Sequence, residues 1–277
     1  MKHKLEFIKI SPNHEIAGVG FAGNIFITLS ALSLIGKEDR MYVDMETNEC
    51  ICTENIDYVL HETKNSWEYY FNQTKIGPEE SYNKMNSLVR GNLVYNDTNA
   101  FMNPDQYITL KEKFFRNFKI KDYINSEIND FYSKNIRGKV TLGVQIRLTD
   151  YTYGGHNHPP LEIYIARIEW ILEKNPEIEQ IFLATDDSKV IPKLERIFNI
   201  PILYWPNMFR ADEDNLHLNP YDRLESERDL HRYTMGIECM KEIFTLTKCD
   251  YLLKAYTSSM SILGVILSEN IKKVYKL

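Results

Sequence analysis

From residue 140 onward the sequence alternates short, uninterrupted apolar runs with stretches of helical period, and few folds tolerate that pattern. Strands are expected at 140–146 (VTLGVQI), 181–184 (IFLA), 202–205, 251–255 (YLLKA) and 274–277, and helices at 161–174, 188–198, 234–247 and 259–269. In the first of these helices Ile165, Ile168 and Leu172 recur on one face. A strand that is apolar at every position has no face for water and must be covered on both sides. Such strands, separated by helices of about 10–15 residues, make a parallel sheet with helices on both faces, an α/β fold.

The first half is less regular. A short apolar run at 5–10 reads as a strand, 18–24 as a tight glycine turn, 25–35 as a helix with Leu29, Leu32 and Ile35 at helical spacing, and 41–43 as a second strand. The stretch 16–36 carries no charge and follows the basic start MKHK. Its glycines and Asn24 make it a poor membrane span, so strand, turn and buried helix is the reading adopted. Residues 57–131 are rich in Tyr, Phe, Asn and Lys, with a helical patch at 107–118. At 277 residues the chain suits two modest domains, divided near residue 137 into 1–137 and 138–277.

With 33 Lys and Arg against 39 Asp and Glu, the formal charge of -6 excludes a chain whose main business is wrapping nucleic acid. A local basic site for one phosphate group is compatible with that balance. The 4 cysteines, Cys50, Cys52, Cys239 and Cys249, form neither a CxxC pair nor a disulfide framework and read as thiols of a reducing compartment. Sequons at Asn72 and Asn96 matter only on a secretory route.

In open parallel sheets ligands bind at the carboxyl ends of the strands, so residues just after the apolar runs are the candidates. Arg147 and Asp150 follow VTLGVQI, Asp186 and Asp187 follow IFLA, and Thr257, Ser258 and Ser259 follow YLLKAY. A guanidinium at a strand end calls for an anion, either a ligand phosphate or a salt bridge to Asp150 or another local acid. Thr257-Ser258-Ser259 before a helix is either an N-cap or a phosphate seat. Asp186 and Asp187 either cap the next helix or ligate a hard cation, with capping favoured by the helix that follows at once. His156 and His158 in YTYGGHNHPP are proton acceptors or a metal half-site, without a second ligand cluster at a convincing spacing. Gly18, Gly20 and Gly23 fit G-x-G-x-x-G, with Asp44 as the acid a dinucleotide site would need. Asp212-Glu213-Asp214 reads as a solvated loop, and His3, His14, His61, His217 and His231 are scattered without pattern.

Taken together, VQIRLTDY at 144–151, IFLATDDSKVI at 181–191, CDYLLKAYTSSMSILGVIL at 249–267 and GVGFAGNIF at 18–26 occur in the order seen in the fucosyltransferase superfamily. The chain resembles a compact bacterial alpha-1,6-fucosyltransferase, including the nodulation-factor type. Similarity to the alpha-1,2 and protein O-fucosyltransferases is weaker. The resemblance is almost continuous in the second half and confined to the glycine loop in the first.

It implies a GT-B fold, two Rossmann-like domains whose parallel sheets face a central cleft, with an acceptor side at 1–137 and a GDP-sugar side at 138–277. It also implies inverting fucose transfer from GDP-fucose without a metal or other cofactor. The acceptor would be an oligosaccharide or glycolipid in surface-polysaccharide assembly, in the cytoplasm or at the inner face of its membrane, with at most peripheral membrane association and no nucleic-acid partner. Arg147 would engage the β-phosphate, Thr257 and Ser258 with Ser259 the phosphates, Glu242 the guanine edge, and Asp186 and Asp187 the place of the paired aspartates, with a partly structural role. Gly20, Gly23 and Asn24 match the glycine loop. Three departures are visible. Gln145 replaces a His and Leu148 a second Arg, which together admit another GDP-sugar or a catalytically silent binding relative. Gly155 stands where the alpha-1,6 enzymes place a Glu, so His156 is the substitute base, with Asp150 and His158 behind it. Trp67, Tyr69 and Tyr70 either stack on sugar rings or serve core or surface packing, the commoner role of such aromatics.

Overall fold

The computed structural model describes residues 7–10, 20–37, 39–46, 59–74, 83–84, 104–148, 159–210, 228–255 and 258–277. The chain divides into two compact units, Met1–Asn125 with Arg232–Ile237, and Ser126–His231 with Glu238–Leu277.

In the first unit β1 (Phe7–Ile10) is the middle strand of a parallel sheet, flanked by β2 (Arg40–Val43) and β4 (Asn83–Lys84). Between β1 and β2 runs α1 (Phe21–Leu34), whose buried residues include Ile25, Thr28, Leu29, Ala31 and Leu32 on every side of the helix. A helix apolar all round belongs in a core, and that resolves the uncharged stretch. The helix starts earlier than its sequence suggests, so Gly23 and Asn24 belong to its first turn and not to the glycine loop. Among the described residues no helix is long and apolar enough to cross a membrane.

The carbonyl end of α1 is closed by a lysine. Lys113, on α2 (Pro104–Asn117), is 9% exposed and its ammonium donates to the carbonyl oxygens of Leu32 at 3.1 Å and Ile35 at 2.6 Å. A cation at the negative end of the helix dipole satisfies carbonyls that have no partner within the helix. Lys113→Met keeps the volume and removes both bonds, and is expected to lower unfolding stability by about 2 kcal/mol in a denaturant titration.

Packed beside these elements is an aromatic core. Trp67 stacks on Phe71 at 4.5 Å, Phe114 meets Phe118 at 5.3 Å, and Phe21 lies 4.3 Å from Tyr70. These rings come from a single 3-10 turn (Ser66–Tyr69) and the Tyr70 that caps it, the antiparallel pair β3 (Phe71–Gln73) and β5 (Phe118–Ile120), α1 and α2. Asn65 ties the turn to β2: its Oδ1 accepts the N–H groups of Trp67 and Met45, and its Nδ2 donates to the Val43 carbonyl. Leu60 and Thr63 exchange both backbone hydrogen bonds across a tight turn. Its central residues His61 (φ 52) and Glu62 (φ 65) lie in the left-handed region, a cost of roughly 1–2 kcal/mol each for side chains with a Cβ. Helix α3 (Asp122–Phe131) leads out of this unit and continues into a π-helical turn at Tyr132–Ile136. Gly138, at φ 82, then turns the chain toward the second sheet.

The second unit is built on five parallel strands in the order β10-β9-β6-β7-β8. The central β6 (Thr141–Ile146) and its neighbour β7 (Gln180–Thr185) are buried at every residue. Leu142, Val144, Ile146, Ile181 and Leu183 face Leu161, Tyr164, Ile168 and Ile171 of α4 (Leu161–Lys174) and Val190 and Leu194 of α5 (Val190–Ile197). The opposite face meets Leu246 at the end of α6 (His231–Leu246). A Cβ at Gly143 would fall 2.5 Å from the Leu252 side chain and 3.1 Å from those of Cys249 and Leu246, so only glycine allows this approach. Strand β8 is limited to Ile202–Leu203, because Trp205 turns away to stack on Phe131 and to donate to Thr245 Oγ1. β9 (Tyr251–Lys254), α7 (Ser259–Ile266) and β10 (Lys273–Lys276) complete the unit.

Candidate functional site

The carboxyl edge of the five-stranded sheet carries the candidates of the second unit. Arg147 leaves β6 with its Nε 3.7 Å from Asp186 Oδ2, and the other carboxylate oxygen of Asp186 accepts the Leu148 N–H at 3.2 Å. Among the described residues Arg147 pairs with Asp186, at the end of the adjacent strand β7. Both side chains are about one-third exposed, at 34% and 32%, so the pair itself stabilises little, and its effect is to aim the guanidinium. Asp187 closes the turn that leads into α5: its Oδ1 accepts the Lys189 N–H at 2.8 Å, and its carbonyl accepts that of Val190. The N-cap itself is Lys189, without a side-chain cap, so Asp186 holds the arginine loop and Asp187 shapes the turn before the helix.

Two buried polar atoms at this edge have no hydrogen-bond partner among the described residues, Gln145 Oε1 and Ser258 Oγ. Gln145 is 4% exposed and Ser258 1%. Leaving such atoms unsatisfied costs about 1–3 kcal/mol each; Gln180 Oε1, at the start of β7, is a third such atom in this unit. Ser258 is the N-cap of α7, its carbonyl accepting the Ile262 N–H, and Ser259 is the first helical residue, so the positive end of a helix dipole lies here too. Asp150, His156, His158 and Thr257 fall outside the described residues.

Glu242 lies on α6, 8% exposed, with Oε1 3.7 Å from Arg210 Nη2. Burial pushes its carboxyl up to about 8; the Arg210 guanidinium and a backbone bond at Thr185 oppose the rise, and Asp186 and Glu238 add to it. Arg210 is fixed from the other side, donating to the carbonyls of Thr185 and Trp205. One turn earlier on α6, Glu238 accepts Arg228 through both guanidinium ends and the Phe209 N–H. Lys254 closes β9 at 5% exposure, and burial together with the Lys276 ammonium lowers it to about 8. Arg210 and Lys254 carry little signal in the sequence. The first precedes an acidic stretch with no local pattern, and the second sits inside an apolar run, where a lone lysine is the only available signal.

In the first unit Gly20 is the N-cap of α1, and its carbonyl accepts the Asn24 N–H at 3.2 Å. Asn24 is fully buried, and neither of its side-chain polar atoms has a partner among the described residues. Trp67, Tyr69 and Tyr70 are 0%, 1% and 0% exposed. They are core residues, and their rings are closed to a sugar. Among the described residues no group of three His, Cys, Asp or Glu side chains is placed to hold a metal ion.

No family model and no curated protein sequence matches the chain. Solved structures do. The NodZ alpha-1,6-fucosyltransferase soaked with GDP-fucose superposes with a TM-score of 0.56 at 12% identity, over 96% of this chain and 93% of that one. Fucosyltransferase NodZ from Bradyrhizobium gives a TM-score of 0.55 at 14% identity, over 96% and 94%. POFUT1 in complex with GDP gives 0.50 at 8% identity, over 98% of both chains. Over nearly its whole length, therefore, the chain is similar in fold to the fucosyltransferases that its sequence motifs resemble.

Proposed function

We propose that this chain is a glycosyltransferase that moves fucose from GDP-fucose to a saccharide acceptor, with inversion and without a metal ion. The observation that carries the reading is Arg147, aimed by Asp186 at the carboxyl edge of the sheet beside two buried polar atoms that lack partners, Gln145 Oε1 and Ser258 Oγ. The likeness in fold to structures solved with GDP-fucose and with GDP supports it.

In the proposed reaction an acceptor hydroxyl attacks the anomeric carbon as the bond from that carbon to the β-phosphate oxygen breaks. The bonding electron pair stays on the departing GDP, whose growing charge Arg147 and the α7 N-terminus stabilise. The hydroxyl proton passes to a base, for which His156 is proposed, with Asp150 as the second choice. Gln145 and Glu242 face the nucleoside, and Thr257 to Ser259 the phosphates. The division into an acceptor side at 1–137 and a donor side at 138–277 belongs to the same proposal. So does a role in surface-glycan assembly at the cytoplasmic face of a membrane.

A second reading keeps the fold and changes the sugar of the GDP donor. It is favoured by Leu148, which packs against the apolar cluster of the sheet where a second phosphate-binding arginine would stand.

GDP is expected to raise the melting temperature, because a ligand that binds only the folded state stabilises it, by about 2.7 kcal/mol at a hundredfold excess over Kd. UDP, ADP, CMP and NAD in the same thermal-shift panel should leave it unchanged. A shift with NAD and none with GDP would sink the transferase reading, and loss of activity in EDTA would sink its metal-free form.

A further inference from the structure

Above the aromatic core of the first unit, His61 is joined to two tyrosines by a chain of hydrogen bonds whose direction can be worked out. Tyr123 Oη lies 2.7 Å from the Tyr69 carbonyl oxygen, which can only accept, so the single Tyr123 hydroxyl proton is committed there. Tyr233 Oη, 2.7 Å from Tyr123 Oη, must then be the donor of that pair. Having spent its own proton, Tyr233 accepts from His61 Nε2 at 2.9 Å. His61 therefore carries its proton on Nε2, and in the neutral ring Nδ1 presents a lone pair. Burial, with the Lys121 ammonium as a second cause, holds the imidazole below its ordinary range, in keeping with a neutral ring.

The rest of the cluster is equally specific. The His61 ring lies 5.7 Å from the rings of both Tyr123 and Tyr233. Tyr70 stacks on Tyr233 and donates to its carbonyl oxygen, which fixes Tyr233 from below. Tyr123 is 38% exposed and His61 is exposed as well. His61 is held out on a turn whose two central residues are both left-handed without being glycine, and strain of that kind accumulates where a side chain must be presented in one place.

We propose that His61, Tyr123 and Tyr233 form a saccharide subsite of the first unit, with His61 Nδ1 accepting a bond from a sugar hydroxyl and the Tyr123 ring packing on the apolar face of a pyranose. An uncharged acceptor beside an exposed aromatic ring matches a ligand that carries hydroxyl donors on its rim and C–H groups on its face. The inference rests on the transferase reading only for the identity of that saccharide as the acceptor.

The test is saturation-transfer NMR on the full chain with neutral tetrasaccharides of glucose, galactose, mannose and N-acetylglucosamine. At least one is expected to bind, with affinity falling tenfold or more in His61→Ala and in Tyr123→Ala, and about threefold in Tyr233→Phe, which keeps the ring and breaks the relay. The GDP thermal shift should be unchanged in all three. Nitrogen-15 spectra of the wild-type imidazole should show the Nε2–H tautomer, with Nδ1 perturbed by the bound tetrasaccharide, a readout that does not depend on any variant folding. Binding indifferent to His61 and Tyr123, the opposite tautomer, or no binding of any of the four overturns the subsite. If GDP fails to shift the melting point while glycan binding still depends on His61, the transferase reading falls and the subsite stands.

Discussion

Arg147→Ala is expected to lower kcat for sugar transfer about 10²–10³-fold, the usual effect of removing one preorganised charge from a site where negative charge grows. The expectation follows from position. Arg147 leaves the central strand of the sheet, and Asp186 on the neighbouring strand holds it through Nε while also accepting the Leu148 N–H. Leu148 offers no second cation, so under the proposed function this arginine would carry more of the phosphate charge than it would in a paired site. Arg147→Lys keeps a point charge and loses the planar fork, and should recover only part of the rate. Asp186→Asn should cost less than Arg147→Ala, because one acceptor for the Leu148 N–H remains, and should act on kcat more than on GDP affinity. Steady-state rates with GDP-fucose and a glycan panel measure all three. Turnover by Arg147→Ala within about threefold of wild type, with the fold intact, would remove Arg147 from the chemistry.

The same strands show why the second unit was legible in the sequence. β6 and β7 are buried at every residue, so no charged or exposed position breaks the runs, and their few polar residues, such as Gln145 and Thr185, are buried as well. Helix α4 occupies the stretch 161–174 that its apolar spacing indicates. Candidate positions followed from the strands, since whatever stands just after a buried strand must lie at the carboxyl edge.

Legibility failed where tertiary contacts rather than period decide. Gly23 and Asn24 have loop chemistry, yet burial of α1 on all sides draws them into its first turn. The stretch rich in Tyr and Phe has no clean period because its rings meet across short elements, Trp67 on Phe71 and Phe114 on Phe118. His61 looked scattered because its turn lacks Gly or Asn, and its partner Tyr233 lies on a helix 172 residues away. The Arg210 pairing with Glu242 is likewise invisible from local spacing. Glu242 was read from the family resemblance as a guanine contact, and the structure adds that its carboxylate is buried against an arginine.

That burial makes the stability of the protein depend on pH in a direction opposite to the common one for carboxylates. In the unfolded chain Glu242 titrates near 4.5, and in the folded protein burial raises it to about 8. Between those values the folded state keeps a proton that the unfolded state has released. The contribution of Glu242 is therefore fully present below pH 4.5 and is lost as pH rises toward 8, a total of roughly 5 kcal/mol at 1.4 kcal/mol per unit. Lys254 acts above that range: lowered from 10.5 to about 8, it loses its proton in the folded state first, so its contribution grows as pH rises from 8 to 10.5. Above pH 8 the buried Cys249 thiol and the Tyr107 and Tyr251 hydroxyls, all held above their ordinary values, work against Lys254. The signature to measure is therefore the fall in Tm between pH 4.5 and pH 8, which Glu242→Gln should remove. GDP adds a second readout, because the guanine edge offers two N–H donors that favour the ionised carboxylate. Binding should then release a proton below pH 8, and the stabilisation by GDP should grow between pH 6 and pH 8 in the wild type but not in Glu242→Gln. A GDP shift that is flat with pH in both proteins would leave Glu242 as a buried partner of Arg210 and remove it from nucleotide recognition.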